Sequence, residues 1–145
     1  MDLVSVFDVA QYILDERGRM TTWKLQKLVY YSQAWSLVWD EEPLFRDRIE
    51  AWANGPVSPR LYDRHRGSFT VGRIRGNPAR LDQDQRETIE AVLQRYGGKS
   101  SQWLSNLTHR EYPWRQARRR SGLAPGERGN AQILLTDMAE YYGSL

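Results

Sequence analysis

The sequence predicts a mainly α-helical fold: a single compact domain over residues 1–145, of about six helices, with a small extended or hairpin segment near residues 43–57. Three observations carry this. Apolar residues recur at helical spacing in most segments, helix-start and helix-stop residues bracket those runs, and no interior linker is long enough to divide the chain. With 145 residues, 40% of them hydrophobic and 12% aromatic, the chain can fill one core.

The first helix starts at a capping-box-like Ser5-Val6-Phe7-Asp8, carries Val6, Val9, Ala10, Ile13 and Leu14 on one face, and stops at Gly18. Thr21 or Thr22 caps the second, which runs to about Val38 or Trp39. Its residues Leu25, Leu28, Val29, Ser32, Trp35, Ser36 and Trp39 gather on one arc at roughly 100° per residue. Tyr30, Ala34, Leu37 and Val38 lie outside that arc, so this helix is apolar on most sides and should be central. Ser58 followed by Pro59 opens a short third helix to about Arg66, which Gly67 ends. The stretch GSFTVGRIRGNP, residues 67–78, alternates weakly and is glycine-rich, which suits a short strand pair or a surface loop; a loop is expected.

Asp82 with Gln85 three residues on opens a fourth helix through Ile89, Val92, Leu93 and Tyr96, closed by Gly97-Gly98. Ser100 or Ser101 caps a fifth with Trp103, Leu104 and Leu107, which ends before Pro113. A short helical piece follows at Trp114–Arg119, then the Gly/Pro-rich break SGLAPGERGN. A last helix is expected on Ile133, Leu134, Leu135, Met138 and Tyr141.

Residues 40–57 break the helical pattern. Pro43-Leu44-Phe45 and Ile49-Glu50-Ala51-Trp52 bracket a turn-like Arg46-Asp47-Arg48, which suits a small hairpin or two extended arms. At the exit stands EAWANGPVSPRLYD. Pro56 and Pro59 each fix φ and push the preceding residue out of the helical region, so Gly55 to Ser58 should be a stiff, extended connector. Such a corner either only turns the chain or also holds Trp52 and the third helix in fixed relative positions.

Chemistry-bearing patterns are few. His65 and His109 are the two histidines and neither has metal-ligand spacing, while the absence of cysteine removes thiol nucleophiles, disulfides and Cys-ligated zinc. No phosphate-cradling glycine motif occurs. His109 with Glu111 is an acid–base candidate. A histidine near a helix end more simply meets the helix dipole or a carbonyl. Ser32 and Ser36 read as small packing residues. No enzyme activity, cofactor or metal is therefore expected.

The net charge is +3, and of 21 basic residues all but Lys24, Lys27 and Lys99 are arginine. Arg60, Arg64, Arg66, Arg73, Arg75 and Arg80 form one cluster, and Arg115, Arg118, Arg119 and Arg120 another. They suit phosphate contacts, a solvated face or an acidic protein partner alike, and no DNA- or RNA-binding motif accompanies them. The N-terminal stretch MDLVSVFDVA carries acids where a secretory leader needs Lys or Arg, and no apolar run approaches the ~18–20 residues of a membrane span. A cytoplasmic protein with no membrane partner is expected.

KLQKLVYYSQAW (24–35), PLF (43–45), EAWANGPVSPRLYD (50–63) and YGGKSSQWLSNLTHREYPWRQAR (96–118) resemble, in order and spacing, the Panacea or SocA-like antitoxin domain, also known from phage-associated proteins. The resemblance spans nearly the whole chain. Its elements fall on Lys24, Leu25, Gln26, Lys27, Leu28, Tyr30 and Tyr31, on Trp52, Gly55, Pro56, Val57, Pro59 and Tyr62, and on Thr108, His109, Pro113 and Trp114. Ala53-Asn54 departs from the bulkier, charged or aromatic residues common there, which bears on partner choice rather than fold.

The resemblance implies an antitoxin that neutralises an adjacent-encoded toxin by direct binding, with no catalytic residues. Family toxins are very dissimilar, and one member acts as an adaptor that delivers its toxin to a protease. The alternatives are a DNA-binding regulator using the Arg-rich patches and a proteolytic adaptor. Arg and Tyr are frequent interface anchors. The candidate partner-binding residues are Tyr31, Trp52, Asn54, Arg60, Tyr62 and Arg64. Trp52 and Trp114 are expected to contribute to the core.

Overall fold

The computed structural model describes residues 3–145. Among them the chain forms seven α-helices and four short strands, so the fold is mainly α, with one helix more than the sequence count of about six.

Helix α1 (Val6–Arg17) carries both halves of the capping box: Ser5 Oγ accepts from Asp8 N–H, and Asp8 accepts from Ser5 N–H at 2.9 Å. Gly18, at φ 81°, ends it. Strand β1 (Met20–Thr21) leads into α2 (Thr22–Trp39), where Thr21 Oγ1 accepts from Lys24 N–H. Helix α2 is buried around its whole circumference from Leu25 to Ser36. Beyond that Trp39 emerges, 47% exposed but stacked on Trp35 at 4.9 Å, which removes it from the buried arc.

Around this central rod pack α1, α4 (Gln83–Tyr96), α5 (Ser101–Arg110) and α7 (Leu135–Gly143), with α6 (Tyr112–Arg120) against α5 and α7. The buried apolar side chains form one cluster. A group of polar side chains inside it pairs with one another, as low-dielectric burial favours. Tyr31 and Tyr142 both donate to Glu111 Oε1, at 2.6 and 2.8 Å, and Tyr30 meets Tyr142 at 3.0 Å. These bonds fix the final helix to α2. Burial raises the Glu111 pKa, although both tyrosine hydroxyls favour its charged form.

The extended region differs from the sequence expectation. The hairpin joins β2 (Glu50–Trp52) to β3 (Gly55–Val57) across a two-residue Ala53-Asn54 turn, instead of pairing residues 43–45 with 49–52. Pro43-Leu44-Phe45 has no strand partner because the Gln33 amide takes its place, accepting from Leu44 N–H and donating to Phe45 C=O. The expected connector is thus itself a strand, and it leads into α3 (Pro59–His65), capped by Ser58.

Two further differences follow from long-range pairing. Within residues 67–78, Thr70–Val71 forms β4, antiparallel to β1. The rest is held from α1: Gln11 accepts from Ile74 and Arg75 N–H, Asp8 accepts from Asn77 N–H, and Gly76 lies so close that a Cβ there would sit 1.9 Å from Phe7 O. Ile133 belongs to an extended segment rather than the last helix. It donates to Ile49 C=O while Ala51 N–H donates to Ala131 C=O, so this segment borders the hairpin. No helix among the described residues is long and apolar enough to cross a membrane.

Candidate partner-binding site

Three chain segments meet beneath one surface. From α2, the Gln26 amide is matched to the backbone of Ser58: its Oε1 accepts from Ser58 N–H at 2.9 Å and its Nε2 donates to Ser58 C=O at 3.2 Å. The same Nε2 lies 2.9 Å from His65 Nε2. Gln26 therefore pins the exit of β3 and the start of α3 to the central helix. Lys27, one position on, packs against β3 itself. Gly55 is at φ 126°, and a Cβ there would lie 2.5 Å from Lys27 Cε and 3.2 Å from Thr108 Oγ1. Only glycine combines that backbone conformation with that approach.

The third segment closes the joint. Ser105 Oγ donates to Asn54 C=O at 2.7 Å, and Thr108 Oγ1 donates to Ser105 C=O. His109 stacks on Trp114 with ring centroids 4.2 Å apart, while Trp114 Nε1–H donates to Trp52 C=O at 2.9 Å. The hairpin is thus held from α2 on one side and from α5 and α6 on the other.

Lys27 is 1% exposed. Its amine lies 3.5 Å from Pro56 C=O and 5.2 Å from the Trp23 ring centroid, and burial lowers its pKa to about 7. No carboxylate pairs with it among the described residues. Burial, and then the Lys27 charge, holds His109 below its ordinary value, and His109 Nε2 is buried with no hydrogen-bond partner.

Two clefts open over this joint, and Trp23 and Asn54 line both. The larger, about 540 Å³, is lined by Trp23, Trp52, Asn54, Tyr62, Glu50 and Arg128 among others. Trp52 and Tyr62 meet edge to face at 4.9 Å, and Trp52 Nε1–H donates to Glu50 at 2.8 Å. The smaller, about 300 Å³, has Lys27 and His109 in its wall together with Ser101, Gln102 and Ser105.

The six sequence-selected residues separate into three groups. Trp52 and Tyr62, half-buried, and Asn54, exposed, share the larger cleft. Arg60 and Arg64 point the other way. They lie one turn apart on α3, roughly 200° around from Tyr62 for Arg60 and the same for Arg64 in the opposite sense. Both sit over the Phe7 ring, at 4.9 and 3.4 Å; Arg60 also pairs with Asp47, and Arg64 donates to Ile74 C=O. Tyr31 is a correction: it is fully buried, stacked on Tyr96 at 4.2 Å and bonded to Glu111, so its side chain has no surface to offer a partner.

Other expectations change as well. Both tryptophans are half-buried: Trp114 packs against the core as expected, whereas Trp52 lies outside it. Glu111 is engaged by tyrosines, which removes it as an acid–base partner of His109. In the second Arg cluster, Arg118 is buried and donates to Ala51 and Ala124 C=O, and Arg120 pairs with Asp137 at 2.8 Å. Trp23, Lys27 and Arg128 were missed as lining residues. For Lys27 the signal was present: a lysine in a helix apolar on most sides.

A family model described as Antitoxin SocA-like, Panacea domain, matches residues 25–115, a span that contains the whole joint from Gln26 to Trp114. No curated protein and no solved structure matches the chain.

Proposed function

The chain belongs to the SocA-like Panacea antitoxin family, and from that premise we propose that it neutralises a toxin encoded beside it by stoichiometric binding, without turnover. The observation that carries the reading is the pair of clefts around Trp23 and Asn54, most of whose lining falls within residues 25–115, the span of the family match. Rigid aromatic side chains bordering a concave surface give large contact area with little loss of rotamer freedom. Trp52 and Tyr62 are held by each other, by Glu50 and by the hairpin, so their order precedes binding. The exposed Asn54 turn projects between the two clefts and offers the variable contact through which one such surface selects its own toxin.

Co-expression with the protein encoded by the adjacent reading frame tests this. Asn54→Asp and Tyr62→Ala, each checked for folding by circular dichroism, are expected to lose rescue of growth and co-purification. Arg64→Glu, on the opposite side of α3, is expected to keep both. Full rescue by both cleft variants would contradict the proposed face.

A further inference from the structure

We propose, resting on the antitoxin reading above, that the smaller cleft is a carboxylate-binding site in which Lys27 and His109 receive an acidic side chain or the C-terminal carboxylate of the toxin. The first ground is an unpaired charge. An ammonium has three donors, yet Lys27, 1% exposed, has one long bond to Pro56 C=O and no carboxylate among the described residues. The Trp23 ring at 5.2 Å attracts the charge but accepts none of its protons as a carboxylate does. A buried ammonium without a counter-ion is costly, and an apolar side chain of similar length would hold the joint better. Its presence in the wall of an open cleft is accounted for by an anion that arrives from outside.

The second ground is independent of the first. His109 Nε2 is buried, without a hydrogen-bond partner, and lines the same cleft. Stacking on Trp114 fixes the ring. Burial and the Lys27 charge keep the ring neutral, and its Nε2–H tautomer donates to an anion without adding a second positive charge. The remaining wall is neutral and polar: Asn54, Ser105, and Ser101 and Gln102 in the first turn of α5, where the helix dipole favours negative charge.

Charge selects the class of anion. One ammonium balances one negative charge, and no arginine lines this cleft, whereas a phosphate dianion calls for more compensation. The match is to a carboxylate.

The test uses the whole protein with 13C- and 15N-labelled lysine and histidine, titrated with sodium acetate at constant ionic strength against chloride. With three lysines in the chain, Lys27→Met assigns the resonance. The expected result is a saturable shift of the Lys27 and His109 side-chain signals with acetate, absent with chloride alone. No saturable shift, or a stronger response to inorganic phosphate than to acetate, would overturn the proposal. With the adjacent-encoded toxin, Lys27→Met and the milder His109→Gln are expected to bind roughly 30-fold or more weakly than wild type, as for loss of one partner in a buried charge pair. Unchanged toxin affinity in folded variants would overturn it too. If the wild type fails to bind that protein at all, the antitoxin reading fails, while the acetate titration still decides the site.

Discussion

Lys27 Cε lies 2.5 Å from the point that a β-carbon on Gly55 would occupy. The central helix and the hairpin therefore interlock at a position where one has a long side chain and the other has none. Gly55→Ala meets this contact and a φ of 126° together. A loss of roughly 1–3 kcal/mol is expected from the backbone strain alone, read by urea denaturation. An unchanged midpoint would mean that the hairpin is not held against Lys27.

The Lys27 amine gives stability a distinct pH dependence. Burial lowers its pKa to about 7 from the ordinary 10.5. Between those values the unfolded chain holds a proton that the folded chain has released, so stability rises with pH there; below about 7 both states are protonated and the burial cost is fully present. From pH 7 to 9.5 the gain is about 3 kcal/mol, before buried tyrosines, raised by burial, oppose it above their ordinary value of 10.0. Lys27→Met should lose this gain and be more stable than wild type at pH 7. Parallel curves for the two proteins would contradict the assignment.

Gln26 is the other clamp. Gln26→Leu keeps much of the volume but leaves Ser58 N–H and His65 Nε2 without their Gln26 partner, while Ser58 C=O still accepts from Tyr62 N–H. A cost of roughly 2–4 kcal/mol is expected from the orphaned groups. Thermal unfolding at matched pH checks it, and a change within ~0.5 kcal/mol would show that the clamp contributes nothing.

Midway along α2, Tyr31 donates to the same oxygen of Glu111 as Tyr142 of α7. Tyr142→Phe should cost roughly 1–2 kcal/mol, since it also removes the partner of Tyr30. A double-mutant cycle with Tyr31→Phe should give a coupling above ~0.5 kcal/mol, because both hydroxyls serve one carboxylate. Simple additivity would separate the two bonds.

Local signals were legible in the sequence and remote ones were not. The capping boxes at Ser5 and Asp82, the Thr21 and Ser100 caps and the glycine stop at Gly18 are set by residues within one turn, and each stands where the sequence put it. The hairpin was displaced because its pairing competes with side chains far away: Gln33 satisfies Leu44 and Phe45, which leaves β2 to pair across Ala53-Asn54. The prolines marked Gly55 to Ser58 as extended, and that segment pairs as a strand with Pro56 opposite Ala51; a proline is tolerated on a strand whose N–H is not needed there. Ile133 was drawn out of α7 by free backbone groups at Ile49 and Ala51. The site was half legible for the same reason. Trp52, Asn54 and Tyr62 lie close in sequence and meet, but the burial of Tyr31 and the turn of Arg60 and Arg64 onto Phe7 depend on α4, α7 and α1.

Neutralisation by binding is tested most directly by calorimetric titration of the purified chain into the purified toxin, followed by denaturation of the complex and separate refolding of the toxin. The account predicts saturation at a fixed whole-number stoichiometry, lost with Tyr62→Ala, and a toxin that regains its activity once separated. Inactivation by substoichiometric amounts of the protein, with a toxin that stays inactive after separation, would contradict it and point to lasting chemical modification.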